Sequence, residues 1–222
     1  YLESAKAFIL RYEEMIGKYP YNHFVIVENL RPTGYGMPTF TLLGKYVVRL
    51  PFIKDISLGH EILHSWFGNA VSVDYAQGNW SEGMTSYLAD WLYREDNGEG
   101  AMNRKEQLLK YHSYVTEENS IPLSRFTSAS HNQPMAQAIR SVGYIKGAMF
   151  FHELHNLIGE HLFLKGMRKF YRTFRHQSAS WNDIQQIFED ISGENLERFF
   201  TERLQNTDTA NLEINDIKVT NL

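Results

Sequence analysis

HEILHSWFGNAVSVDYAQGNWSEG, residues 60–83, sets two histidines four positions apart around a glutamate and adds a second glutamate eighteen positions after His64. On a helical wheel of residues 56–67, Ile56, Leu58, Ile62, Leu63, Trp66 and Phe67 cover one half, while Ser57, His60, Glu61, His64 and Ser65 fill the other. His60 and His64 are one turn apart, about 6 Å of rise, so both imidazoles can reach a single ion from the same face. Glu61 lies roughly 100° further round, where a carboxylate can take a proton from a metal-activated water. The alternative is a solvated polar face that needs no metal. The chain has no cysteine, so any metal here is held by His, Asp or Glu.

A catalytic zinc takes three protein ligands and leaves one position for water. Gly68 and Asn69 are helix stop signals, and a second helix is expected to begin near Trp80 or Ser81 with Glu82 in its first turn. The apolar stripe Met84, Tyr87, Leu88 and Trp91 faces away from Glu82, leaving that carboxylate free to point at the two histidines. The competing explanation is that acidic residues favour a first turn because of the helix dipole.

Outward from this stretch, Leu2, Ala5, Phe8, Ile9, Tyr12 and Ile16 predict a helix over 2–18, stopped by Gly17 and Pro20. HFVIVENL and TFTLLGKYVVRL read as short strands separated by the turn-rich RPTGYGMP. Beyond Asp55 the periodicity predicts helices at about 55–67, 80–96, 101–115, 143–158, 161–176, 181–192 and 194–205, with a long surface loop over Thr116–Pro134. The tail ANLEINDIKVTNL alternates like a strand. Sheet first and helices after means an α+β fold with two lobes.

With 222 residues, 43% of them hydrophobic, there is material for one sizeable core or two small lobes around a cleft. The formal charge of -4 and the lack of a basic block argue against nucleic acid as the main partner. No apolar run approaches the roughly 20 residues of a membrane-spanning helix. The chain opens at Tyr1 with neither a methionine nor a leader pattern, and reads as a segment of a longer chain flanked by further domains.

HEILHSWFGN followed by NWSEG resembles the zinc signature of the aminopeptidase N family of gluzincins. The resemblance covers roughly Phe24 to His155 and implies a thermolysin-like two-lobed catalytic domain over residues 1–208, with a sheet lobe at about 20–52 and a helical remainder. Residues 209–222 would then be a terminal strand or the stub of a following domain. It implies one Zn²⁺ held by His60, His64 and Glu82, with Glu61 as general base and a peptide as substrate. The spacer from His64 to Glu82 holds seventeen residues where the family usually has eighteen. VGYIKGAMFFHEL is similar to the family's tyrosine motif and implies that Tyr144 stabilises the oxyanion, with Gly143 and Gly147 allowing close backbone approach. HELH, His152–His155, has no third ligand in view and reads as a solvated helix face.

The family's aminopeptidases hold the substrate's amino group partly with a glutamate in a Gly-x-Met-Glu-Asn segment. The matching stretch is GYGMPTFTLLG, where Met37 is kept but Pro38 and Thr39 replace the glutamate and asparagine. Gly36, Met37, Pro38 and Thr39 are therefore candidate substrate-binding positions, and the substrate is expected along an edge strand near Gly36 to Leu43. Two rivals stay open: an endopeptidase or non-peptide hydrolase on the same zinc centre, and a non-catalytic scaffold that keeps the fold.

Overall fold

The computed structural model describes residues 1–30, 34–50, 53–54, 57–128 and 135–207. α1 (Leu2–Met15) buries Ala5, Phe8 and Tyr12. β1 (Val25–Asn29), β2 (Gly34–Met37) and β3 (Phe40–Gly44) form a mixed sheet in the order β1-β3-β2, with β3 parallel to β1 and antiparallel to β2. The turn-rich reading of RPTGYGMP is corrected here, because its second half is a strand. Two glycines disguise it, and both are required by the close approach of α2 (Ser57–Leu63). A Cβ at Gly34 would fall 2.7 Å from Glu61 Oε1, and one at Gly36 would fall 2.7 Å from the Glu61 carbonyl oxygen.

After α2 the backbone tightens through Ser65 and Trp66, which donate to the carbonyls of Ile62 and Leu63. It then enters β4 (Val71–Val73), which pairs in parallel with β5 (Gln177–Ala179). Neither of these three-residue strands is apparent from periodicity. The next helix, α3, joins an α-helical Ser81–Thr85, a π-helical Ser86–Trp91 and an α-helical Leu92–Asp96. α4 is Gly100–Tyr114. α5 joins Ala136–Arg140, a π-helical Ser141–Lys146 and Gly147–Ile158. The helix expected from residue 143 thus starts seven residues earlier, and Tyr144 lies within it instead of opening it. α6 (Glu160–Phe174), α7 (Trp181–Ser192) and α8 (Glu197–Gln205) complete the order. α7 starts on a reciprocal cap between Ser180 and Asp183.

Most of the expected loop, Thr116–Ser128, is described and carries only the short 3₁₀ turn Leu123–Arg125. Residues 129–134, the expected helix start at 55–56 and the tail at 209–222 lie outside the described residues. The fold is α+β, a small sheet followed by helices. Its core is rich in aromatic rings: Trp66, Trp80 and Trp181 are fully buried, and the first two donate their indole N–H to Gly17 O at 2.8 Å and Ala179 O at 2.7 Å. No helix among the described residues is long and apolar enough to cross a membrane.

Candidate metal centre and catalytic site

α2 presents His60 and His64 with ring centroids 5.0 Å apart. The start of α3 is fixed by the Trp80 indole and by Asn79, whose Oδ1 accepts from both the backbone N–H and the hydroxyl of Ser81. This turns Glu82 toward α2. Glu82 Oε2 lies 3.5 Å from His60 Nε2 and 3.3 Å from His64 Nε2, and the three candidate ligand atoms fall within 4.8 Å of one another. Behind the site, His60 Nδ1 pairs with Asp90 Oδ2 at 3.0 Å, and His64 Nδ1 with the Phe67 carbonyl at 3.0 Å. An N–H donated at Nδ1 leaves the Nε2 lone pair of each ring for the front.

These residues fit a metal ion. Glu82 Oε2 is buried and faces both Nε2 atoms, yet it meets no hydrogen bond of good geometry. A buried carboxylate oxygen without a donor is costly, and a cation between the three groups removes that cost. Ligands about 2.0–2.1 Å from a tetrahedral ion stand roughly 3.4 Å apart, which is the spacing found between Glu82 and the two rings. Two imidazoles, one carboxylate and no thiolate suit a catalytic zinc ion. In the metal-free site burial opposes charge on both imidazoles, yet Asp90 and Glu82 raise His60, and Glu82 raises His64, above the usual histidine range, so a bound metal would displace the Nε2 protons. Burial likewise opposes charge on Glu82, but the imidazoles hold its carboxyl well below the usual range.

Glu61 sits beside this cluster, its carboxylate packed against Gly34 and Gly36 of β2. Burial, and then Glu82 and Asp90, push its pKa up against the pull of the two histidines. Tyr144 stacks on His60 with ring centroids 6.0 Å apart and planes 9° from parallel. Burial first and Glu82 next push its pKa up, so the phenol keeps its proton and can donate it. What delivers Tyr144 here is the crossing of α3 and α5 at two glycines. A Cβ on Gly83 would fall 2.6 Å from the Cα of Gly147, and one on Gly147 would fall 2.8 Å from the Cα of Gly83. Gly143 serves a different contact, since a Cβ there would overlap the Phe126 ring.

The sequence profile of the Peptidase family M1 domain matches residues 55–203, a span that contains all five of these side chains. The chain belongs to peptidase family M1. Aminopeptidase N of Escherichia coli (strain K12) is 29% identical over 143 residues, covering 64% of this chain and 16% of that protein. The M1 zinc metallopeptidase from Deinococcus radiodurans superposes with a TM-score of 0.73 at 20% identity, over 97% of this chain and 46% of that one. Native yeast LTA4 hydrolase gives a TM-score of 0.72 at 18% identity, over 95% and 36%. These two structures share the fold of this M1 domain, and in all three comparisons the chain spans less than half the relative's length.

At the sheet edge of the M1 domain, Gly36 and Met37 end β2, whereas Pro38 and Thr39 form the turn into β3, with Thr39 at φ 71°. The edge strand expected near Gly36–Leu43 is therefore not a single strand. Phe40–Leu43 belong to the central strand and are paired on both sides, so the backbone edge is Gly34–Met37. Asn69 ties that edge to the end of α2, donating from Nδ2 to His64 O at 2.8 Å and to Gly36 O at 3.3 Å. Neither Asp90 nor Asn69 stands out from the sequence pattern as part of a site. In the sequence Asn69 carries only the signal of a helix stop, and the one signal for Asp90 is an acid on the same helix as Glu82. His152 and His155 are not a solvated face. They pack half-buried around Tyr87, whose hydroxyl pairs with His155 Nδ1 at 2.6 Å, and burial holds both histidines below their usual pKa.

Proposed function

We propose that this M1 domain is the hydrolytic centre of a zinc-dependent, aminopeptidase-like metallopeptidase, with residues 1–208 forming the catalytic unit of a longer chain. The single observation that carries this is the convergence of His60 Nε2, His64 Nε2 and the orphaned Glu82 Oε2 on one point, with Glu61 and Tyr144 beside it. His60, His64 and Glu82 would hold one Zn²⁺. Zinc in such a site supplies Lewis acidity to the scissile carbonyl and lowers the pKa of its coordinated water toward about 7.

Glu61, outside the ligand set but against β2, takes the proton from the attacking water and returns it to the leaving amine. Tyr144 keeps its proton and donates its O–H to the developing oxyanion. Asp90 and the Phe67 carbonyl fix the tautomers and orientations of the two histidines. Gly34–Met37 offers an extended peptide an edge to pair with, and Pro38–Thr39 ends that track without a carboxylate. A peptide's free amino group thus meets no acid at that turn, and comparing free with N-acetylated peptides measures how far exopeptidase specificity holds. A non-catalytic scaffold is disfavoured because every ligand and the general base are present.

Metal analysis combined with peptidase assays tests the proposal. About one zinc per chain is expected in both the native protein and Glu61→Gln, with hydrolysis in the variant reduced by roughly 10²–10⁴-fold or more. A native protein that takes up no zinc overturns the proposal.

A further inference from the structure

A guanidinium borders this site with no acid among the described residues to match it. Arg140 lies one turn before Tyr144 on α5, and its Cζ sits over the Tyr144 ring, 4.8 Å from the centroid, while the same ring stacks on His60. The other partly shielded arginines among the described residues are paired: Arg11 with Asp96, Arg94 with Glu99 and Arg104 with Glu95. No carboxylate or carbonyl oxygen among the described residues pairs with Arg140, although it too is shielded in part. The nearby acids are committed elsewhere, Glu82 and Asp90 to the imidazoles and Glu61 to the face of β2.

A guanidinium held over an aromatic ring loses little further freedom on binding, and its N–H groups point outward in a fork that matches a carboxylate. The opposite charge is missing at the turn that ends β2, where Pro38 and Thr39 offer no carboxylate to a cationic amino terminus. The cleft is thus equipped to hold an anion beside Tyr144 and is unequipped, at the β2 turn, to hold a cation. We infer that Arg140 binds a carboxylate of the peptide substrate, and this rests on the peptidase function proposed above. The carboxylate is either an acidic side chain near the scissile bond or the peptide's own C-terminus. Packing alone would not need the fork, since a ring of this kind is covered equally well by an uncharged chain.

The test uses the zinc-loaded full chain carrying Glu61→Gln, in which peptides bind without being cut, and two peptide pairs. One pair has the same neutral sequence ending in a free carboxylate or a carboxamide; the other is amidated and carries Glu or Gln beside the scissile bond. In one pair the acid should bind about 10- to 100-fold more tightly than the amide, and that pair identifies the source. Arg140→Gln should bring this ratio close to one. Arg140→Lys should keep part of it, which also controls for any disturbance of α5. With Glu61 restored, the same ratios should appear in KM. Equal binding of acid and amide in both pairs, or a ratio that survives Arg140→Gln, overturns the assignment while leaving the hydrolytic centre standing. If the protein with Glu61 cuts none of the four peptides, the peptidase function falls and the inference falls with it.

Discussion

Among single residues, Asp90 shows how far the site extends beyond its proposed ligands. Its carboxylate is the partner of His60 Nδ1, so it fixes which imidazole nitrogen faces Glu82 and makes that nitrogen a better donor. Asp90→Asn should weaken zinc binding by about 10–100-fold, read by competition with a chromophoric chelator, while the apo fold is retained. An unchanged zinc affinity would mean that the Asp90 contact does not orient the ring. Spacing made His60, His64 and Glu82 candidates, because one histidine pair lies on a regular turn and the third group opens the next helix, but it left a plain polar face open, and the family resemblance was needed to choose between them. Asp90 was not legible, and the reason is geometric. Eight residues after Glu82, an ideal helix would carry it roughly 80° away. The π segment Ser86–Trp91 absorbs about one extra residue, which leaves Asp90 where a seventh residue would stand, only about 20° off the Glu82 face.

Among elements, the site depends on two helices approaching more closely than side chains permit. α3 carries Glu82 and Asp90, α5 carries Tyr144, and they touch backbone to backbone at Gly83 and Gly147. Gly83→Ala places a methyl where no real Cβ fits, and neither partner atom is a flexible side chain that can swing away. The expected cost is about 1–3 kcal/mol in urea unfolding, with a fall in kcat larger than any rise in KM as Tyr144 moves off His60. A variant as stable and active as the native protein would show that the crossing tolerates separation. Gly147 was expected to allow close approach, but its partner was hidden, because a glycine says only that something comes near and not what. Gly34 and Gly36 misled for the same reason. Their low strand propensity suggested a turn, while the contact with Glu61 on α2 is what keeps them small in an edge strand. Pro38 made the opposite error possible: taken as part of the edge, it instead begins the turn that ends it.

In the whole molecule, the order of sheet and then helices was plain from the change in period, whereas the parallel pairing of β4 with β5 joins segments about a hundred residues apart by three residues each and left no pattern to read. That long-range pair matters to the site, because Ala179 at the end of β5 accepts the indole N–H of Trp80 and so holds the start of α3. The proposed metal site draws His60 and His64 from a helix packed on the sheet and Glu82 from a helix packed among helices, so an ion bound there would link the two parts of the fold. Binding to the folded chain alone stabilises it by RT ln(1 + [Zn]/Kd), about 2.7 kcal/mol when free zinc is a hundredfold above Kd. For a domain of this size each kcal/mol moves the midpoint by about 2–4 °C, so stripping zinc with a chelator should lower Tm by roughly 5–11 °C, and adding zinc back should restore it. Glu82→Gln supplies the decisive comparison. It removes the third ligand and the charge that faces both imidazoles, so its Tm should respond far less to zinc, whatever its value without metal. A zinc response as large in Glu82→Gln as in the native chain would mean that the ion is not held between the two helices, and the link between the sheet and the helical part would have to come from packing alone.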